Sequence, residues 1–158
     1  MKYEEAMAKA KEFAGNPPHQ FKDEFERHEF ESNYATRLQF EANFNAWLRI
    51  RSSEYEDDEK TDEQQKARCD REDDLAHLIL TAPAVYDWMI FRKFEVADYC
   101  ITKHGDAAGV TWGEAIALTA LDSIKADLLR LGRKEEMKLA KEMELARAKA
   151  NPAGRPAA

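Results

Sequence analysis

Residues 83–103 have the sequence PAVYDWMIFRKFEVADYCITK, and this stretch decides the fold class. Pro83 suits the first turn of a helix and disfavours helical backbone at the residue before it, which places a turn at residues 81–84. The apolar residues of the stretch occupy most of the circumference of that helix: Val85, Trp88, Met89, Phe91, Phe94, Val96, Tyr99, Cys100 and Ile101. A helix that is apolar on most sides belongs in the centre of a bundle, so the stretch predicts the most buried element of an all-α fold.

The segment after this helix predicts a second core helix. Thr111 and Glu114 have the spacing of a capping box, which opens a helix over residues 112–131. Apolar residues at i, i+4 and i+7 spacing form its expected inward face: Ala117, Leu121, Ile124, Leu128 and Leu131, widened by Ile116 and Leu118.

Gly132 is a candidate end of that helix, and the chain beyond it is helix-forming and highly charged. Residues 133–150 are expected to form an exposed charged helix, and residues 151–158 a disordered tail. The apolar residues of the exposed helix form a narrow stripe: Leu139, Met143 and Ala146. Such a stripe is too narrow for a core helix but wide enough for a coiled-coil-like contact.

The first third of the chain also has helical spacing. Residues 2–14 predict a short, loosely docked N-terminal helix within 1–15, with Gly15 where a C-terminal cap belongs. A longer helical pattern begins at Phe21, and Thr36 with Gln39 predicts an internal restart. Its aromatic residues are expected to pack against other helices: Phe40, Phe44 and Trp47. Residues 1–132 are therefore predicted to form one helical domain.

Most of the charge imbalance lies in one short segment. Residues 54–74 contain 11 acidic and 4 basic residues, a net charge of −7 that equals the net charge of the whole chain. The segment is either a charged helical extension or hairpin in solvent, or a loop over 53–61 followed by a helix. The second interpretation is favoured because Thr61 and Gln64 have capping-box spacing and an apolar stripe resumes near Leu80. The candidate partner-binding residues here are Glu56, Asp57, Asp58 and Glu59.

The sequence predicts no catalytic residue, no metal ligand and no cofactor. His28 and His77 each lie four residues after an acidic residue, a spacing that charged helices often contain, and the paired Glu-x-x-His motifs of a di-metal bundle do not occur. The acidic segment does not have the ligand alternation and central glycine of a calcium-binding loop. Cys69 and Cys100 are expected to be reduced thiols. Without a membrane span or a secretory signal, the chain is predicted to be cytoplasmic.

Residues 72–96, EDDLAHLILTAPAVYDWMIFRKFEV, contain an acidic lead-in, a Leu-rich helix end, a Thr-Ala-Pro-Ala turn and a Lys-Phe-Glu-Val segment. This stretch resembles small uncharacterised helical proteins of alphaproteobacterial phages and prophages, and Trp47 ahead of the acidic segment suits the same pattern. The resemblance covers about a third of the chain. It implies a phage-derived accessory protein and carries over no catalytic or binding residue.

Two functions follow as hypotheses. The first is a non-enzymatic helical interaction protein, which uses the acidic segment and the 133–150 helix to bind a protein partner or a second copy of itself as a homodimer, without direct nucleic-acid or membrane binding. The second is an acidic inhibitor that mimics nucleic acid and occupies the basic groove of a host nuclease or DNA-binding protein.

Overall fold

The computed structural model describes residues 1–15, 20–52, 61–105 and 111–150, without the side chains of 103–105, 111–117 and 145–150. The described residues form five α-helices and no β-strand, which confirms the predicted all-α bundle. The helices are α1 (Tyr3–Gly15), α2 (Glu24–Ser52), α3 (Asp62–Thr81), α4 (Asp87–Gly105) and α5 (Thr111–Ala150).

The short helix α1 packs on the first half of α2. Ala6 and Ala10 are fully buried against Ala35, because residues with only a methyl side chain let two helices approach closely. The ring of Phe13 stacks on that of Tyr34 with 4.7 Å between centroids. The three alanines, with Tyr34 packed against them, form a small apolar cluster separate from the main core.

Helix α2 runs without interruption, so the predicted restart at Thr36 is wrong. The Thr36 hydroxyl donates to the carbonyl oxygen of Ser32 at 2.9 Å, one turn back along the same helix. A hydroxyl bonded in this way leaves the backbone ladder intact, although threonine is also common at helix starts.

The main core lies between the second half of α2, the end of α3, α4 and the first part of α5. Its largest buried side chains come from successive helices: Phe40 and Trp47, Ile79 and Leu80, Met89 and Val96. Trp47 meets Tyr99 edge-to-face at 5.4 Å, and the guanidinium of Arg51 lies 3.9 Å from the Tyr99 ring centroid. Aromatic and cation–π contacts therefore join the end of α2 to α4.

Helix α3 begins at the predicted capping box. The Gln64 amide donates to the Thr61 hydroxyl at 3.4 Å, and the Thr61 amide donates to the Gln64 side chain at 3.2 Å. The predicted loop over 53–61 falls, apart from Thr61, on residues 53–60, which lie outside the described part of the chain.

Helix α5 continues through Gly132 as far as Ala150, so Gly132 does not end it. The first described contact of the extension is the ion pair between Lys134 and Glu29 of α2, with 2.7 Å between Nζ and Oε1. The core helix and the predicted charged helix at 133–150 are thus one continuous element. Residues of the bundle part and of the extension can therefore lie on the same side of one helix.

Candidate interaction surface on helices α4 and α5

Helix α4 buries one side and exposes large apolar residues on another. Phe91 is 72% exposed and Phe94 is 47% exposed. The inward side consists of other residues: Met89, Ile90, Lys93, Val96, Ala97 and Cys100. The interpretation of α4 as the element buried on most sides is therefore wrong at Trp88, Phe91, Phe94 and Ile101, because only the side centred on Lys93 faces the core.

Helix α5 also exposes apolar residues that the sequence places on its inward face. Leu121 is 59% exposed and Leu128 is 54% exposed, whereas Ile124 and Asp127 are buried. Leu121 and Leu128 each follow an inward position by one residue, which turns them about 100° around the helix. The predicted inward face is thus wrong at both leucines and at the exposed Leu118, and it is confirmed at Ile124.

A groove separates the exposed residues of the two helices. It has a volume of about 390 Å³, with Phe91 and Leu128 on its rims and Ile90 between them among its lining residues. Gly132 and Glu135 extend the lining along α5. Phe91 and Leu128 line this groove, and further exposed apolar residues lie one to three turns away on the same helices. We call this set the α4–α5 apolar surface: Phe91, Phe94, Leu118, Leu121 and Leu128.

The α4–α5 apolar surface continues along the extension of α5. Leu139 and Met143 are each more than half exposed, and helical periodicity places both on the side of Leu121. We call this line of side chains the α5 stripe: Leu118, Leu121, Leu128, Leu139 and Met143. The structure thus joins two of the predicted partner-binding residues to a larger surface that begins in the bundle.

The other predicted partner-binding residues are outside this description. Glu56, Asp57, Asp58 and Glu59 lie in residues 53–60, which the structure does not describe, and the same is true of the side chain of Ala146. The described start of the acidic segment is exposed, since helix α3 has no buried residue before Glu72.

A buried polar network fixes α4 against α5 beneath the surface. The Lys93 ammonium is fully buried, lies 2.5 Å from Asp127 Oδ2 and donates to the Ser123 hydroxyl at 2.8 Å. Asp127 Oδ1 accepts from the Ala84 amide at 2.9 Å and lies 3.1 Å from the Arg130 guanidinium. Arg130 also donates to the Ala84 carbonyl oxygen. The network therefore ties the turn before α4 to the middle of α5.

Burial lowers the pKa of Lys93, since an ammonium loses its hydration inside the core. The hydrogen bond and negative charge of Asp127 oppose this shift without cancelling it, and the nearby Arg130 adds to it. The sequence interpretation missed this pair. The sequence did contain a signal for it. Lys93 and Asp127 lie at helical spacing from the apolar inward residues of their own helices, and the two side chains carry opposite charges.

The two histidines whose side chains the structure describes, His28 and His77, do not belong to this surface. His28 lines an open cleft of about 660 Å³ between α1 and α2, together with charged residues of both signs. The base of that cleft includes the buried Glu31, whose Oε1 accepts from Arg27 at 3.0 Å. His77 is exposed on α3. Among the described residues, no three His, Cys, Asp or Glu side chains are grouped so as to hold a metal ion.

Comparisons with known proteins identify no relative of the chain: no family model, no curated protein and no solved structure matches it. Within the described ranges, every helix is either too short or too polar to cross a bilayer.

Proposed function

We propose that this chain is a non-enzymatic helical interaction protein that binds another protein through the α4–α5 apolar surface. The observation that carries the proposal is the exposure of Phe91 and Leu121, two large apolar side chains that lie outside the core. Clustered apolar residues at a rigid surface favour protein contact, because their burial against a partner releases water. The resemblance of residues 72–96 to phage-encoded proteins adds the proposal of an accessory role in a phage or prophage.

The rigidity of the surface supports this proposal. Phe91 lies two residues from Lys93, and Leu128 is next to Asp127, so the network of buried hydrogen bonds holds both rims of the groove. Two helices held rigidly against each other need little rearrangement on binding, which favours affinity for a given contact area.

Photo-crosslinking tests the proposal in living cells. With p-benzoyl-phenylalanine in place of Phe91, we expect covalent adducts that disappear when Leu121→Glu is introduced into the same chain. The control carries the probe at Leu78, an exposed apolar residue of α3 that lines a cleft with Tyr3 and Thr36 and does not line the α4–α5 groove. An absence of adducts at position 91, or adducts that Leu121→Glu leaves unchanged, would contradict the proposal.

A second candidate function is the acidic inhibitor that mimics nucleic acid. The favouring observation is that α3 presents Asp62, Glu63 and Asp70 to solvent, and five further acidic residues precede it in the sequence within 54–59. A basic groove would bind such a surface with strong salt dependence. Reversing the charges of Glu56, Asp57, Asp58 and Glu59 is expected to abolish binding to a basic partner, and binding that survives this change would rule the mimicry out.

A further inference from the structure

The α5 stripe runs along one side of a single uninterrupted helix. From Leu118 to Met143 it is about 38 Å long at a rise of 1.5 Å per residue. The ion pair of Lys134 with Glu29 does not cover it, because residue 134 lies about 140° around the helix from Leu139 at 100° per residue. A partner that covers the whole stripe must therefore be an elongated apolar element, such as another helix.

One pair of the stripe, Leu121 and Met143, is placed symmetrically about Gly132, whereas Leu128 mirrors Glu136 and Leu139 mirrors Lys125. Leu121 precedes this glycine by eleven residues and Met143 follows it by eleven. If two copies of α5 lie antiparallel with their two-fold axis at Gly132, Leu121 of each copy faces Met143 of the other. Gly132 has no neighbour within 4 Å of an added Cβ, so packing within the chain does not require a glycine here. At a two-fold axis, the absence of a side chain lets two helices approach closely.

The same register brings opposite charges together. Lys125 lies seven residues before Gly132 and therefore opposite Leu139 of the second copy, one turn from Glu136 of that copy. The two-fold axis repeats this pair, which gives two Lys125–Glu136 pairs at the rim of the contact. Within one chain the two residues are eleven positions apart, about 17 Å along the helix, and cannot contact each other.

The overall charge of this segment also suits a second copy. The net charge of −7 equals that of residues 54–74 alone, so two copies repel each other mainly where these acidic segments approach. Residues 118–144 contain six basic and six acidic residues and are neutral. Two copies can approach along this helix without the repulsion that the acidic segment would cause.

The exposed apolar area is comparable with that of a dimer interface. At about 200 Å² for an aromatic side chain, Phe91 and Phe94 alone leave roughly 240 Å² of apolar surface in solvent. The exposed leucines and Met143 add to this along the 38 Å of the stripe. The sum approaches the roughly 800 Å² that each partner contributes to a stable interface.

We propose that the α5 stripe binds a second copy of this chain as an antiparallel helix pair, with the two-fold axis at Gly132. This inference rests on the proposed function and specifies its partner. The helix of the second copy lies along Leu121 and Leu128, and the rings of Phe91 and Phe94 flank it. The resulting contact is isologous, as in most homodimers.

A charge exchange tests the register on the purified chain. In analytical ultracentrifugation, Lys125→Glu and Glu136→Lys are each expected to weaken self-association about tenfold, because each change places like charges at two symmetric positions. The double variant Lys125→Glu/Glu136→Lys is expected to restore it, and circular dichroism checks that each variant stays helical. A wild-type chain that sediments as a monomer at all concentrations, or a double variant no stronger than the single ones, would overturn the proposal.

Thiol crosslinking tests the antiparallel orientation. In a Cys69→Ser background, where the remaining Cys100 is buried, a short bismaleimide is expected to link a mixture of Leu121→Cys and Met143→Cys chains into covalent dimers. Either variant alone is not expected to crosslink, because identical positions in the two copies are about 33 Å apart in this register. Crosslinking of Leu121→Cys alone would indicate parallel helices and overturn the register.

The results separate this inference from the proposed function. If the purified chain is monomeric while the probe at position 91 crosslinks to a different protein in a Leu121-dependent manner, the second copy is excluded and the interaction function stands. If neither experiment yields a contact at this surface, both fail.

Discussion

Asp127 connects three parts of the chain through one carboxylate. Its two oxygens accept from the ammonium of Lys93 on α4 and from the amide of Ala84 in the turn between α3 and α4. A buried charge that loses its partner is far more costly than an exposed one, because no water replaces the lost contact. The stability of the bundle is therefore expected to depend on this residue more than on any surface ion pair.

Asp127→Ala is expected to lower the free energy of unfolding by about 3 kcal/mol, since it leaves the ammonium of Lys93 buried without its counter-charge. Urea denaturation followed by circular dichroism measures this change. Lys93→Met/Asp127→Asn should cost less than the single change, because it removes both charges and keeps an oxygen for the Ala84 amide. The control Glu95→Gln breaks the exposed Arg92–Glu95 pair and should cost less than about 1 kcal/mol. A double variant less stable than Asp127→Ala would contradict this account.

The lowered pKa of Lys93 predicts how stability changes at alkaline pH. In the unfolded chain this pKa returns to its ordinary value of 10.5, so between the two values the unfolded state binds more protons than the folded state. The contribution of Lys93 to stability therefore increases as pH rises through that window. The unfolding free energies of the wild type and of Lys93→Met are measured from neutral pH to about pH 10. The unfolding free energy of the wild type should increase relative to that of Lys93→Met as the pH rises. If this difference in unfolding free energy does not change with pH, or changes in the opposite direction, the effect of burial on the pKa of Lys93 does not exceed that of Asp127.

At the scale of the elements, the start of α3 is fixed by its cap. Thr61→Ala removes the hydroxyl that accepts from the Gln64 amide and is expected to destabilise the chain by about 1 kcal/mol. Thr61→Ser keeps the hydroxyl and is expected to behave as the wild type. Hydrogen exchange of the first turn of α3 gives the measurement, with faster exchange in the alanine variant alone. Equal exchange in all three proteins would show that the cap does not hold this turn.

The same elements show how far the sequence determines the site. The capping box predicted the start of α3, because a cap depends on residues near each other in the chain. The inward faces of α4 and α5 were harder to predict, because a charged residue lies at the centre of each. If Lys93 and Asp127 are assigned to the surface because they are charged, the predicted inward faces of the two helices include Phe91 and Leu121 instead. Lys93 and Asp127 are 34 residues apart in the sequence. Each charge can be buried only because the contact between α4 and α5 pairs it with the other.

At the scale of the whole molecule, the bundle has a buried core, whereas residues 132–144 of the extension are all exposed. The buried residues of the main core lie between Phe40 and Ile124, with Leu131 packed against them at the end. An isolated polar helix of the length of residues 133–150 is marginally stable in water. A surface that packs against the extension would therefore stabilise its helical form as well as gain contact area.

This arrangement predicts what removing the extension does. A chain truncated after Gly132 keeps every residue of the main core and loses the ion pair of Lys134 with Glu29, so its unfolding free energy at low concentration should fall by less than about 1 kcal/mol. The melting temperature of the full chain should rise with protein concentration, because self-association stabilises the folded state by mass action. The truncated chain should lose this dependence, and a control without residues 151–158 should keep it. A truncated chain that fails to fold would show that the extension belongs to the core. A truncated chain that still associates would place the contact outside residues 133–150.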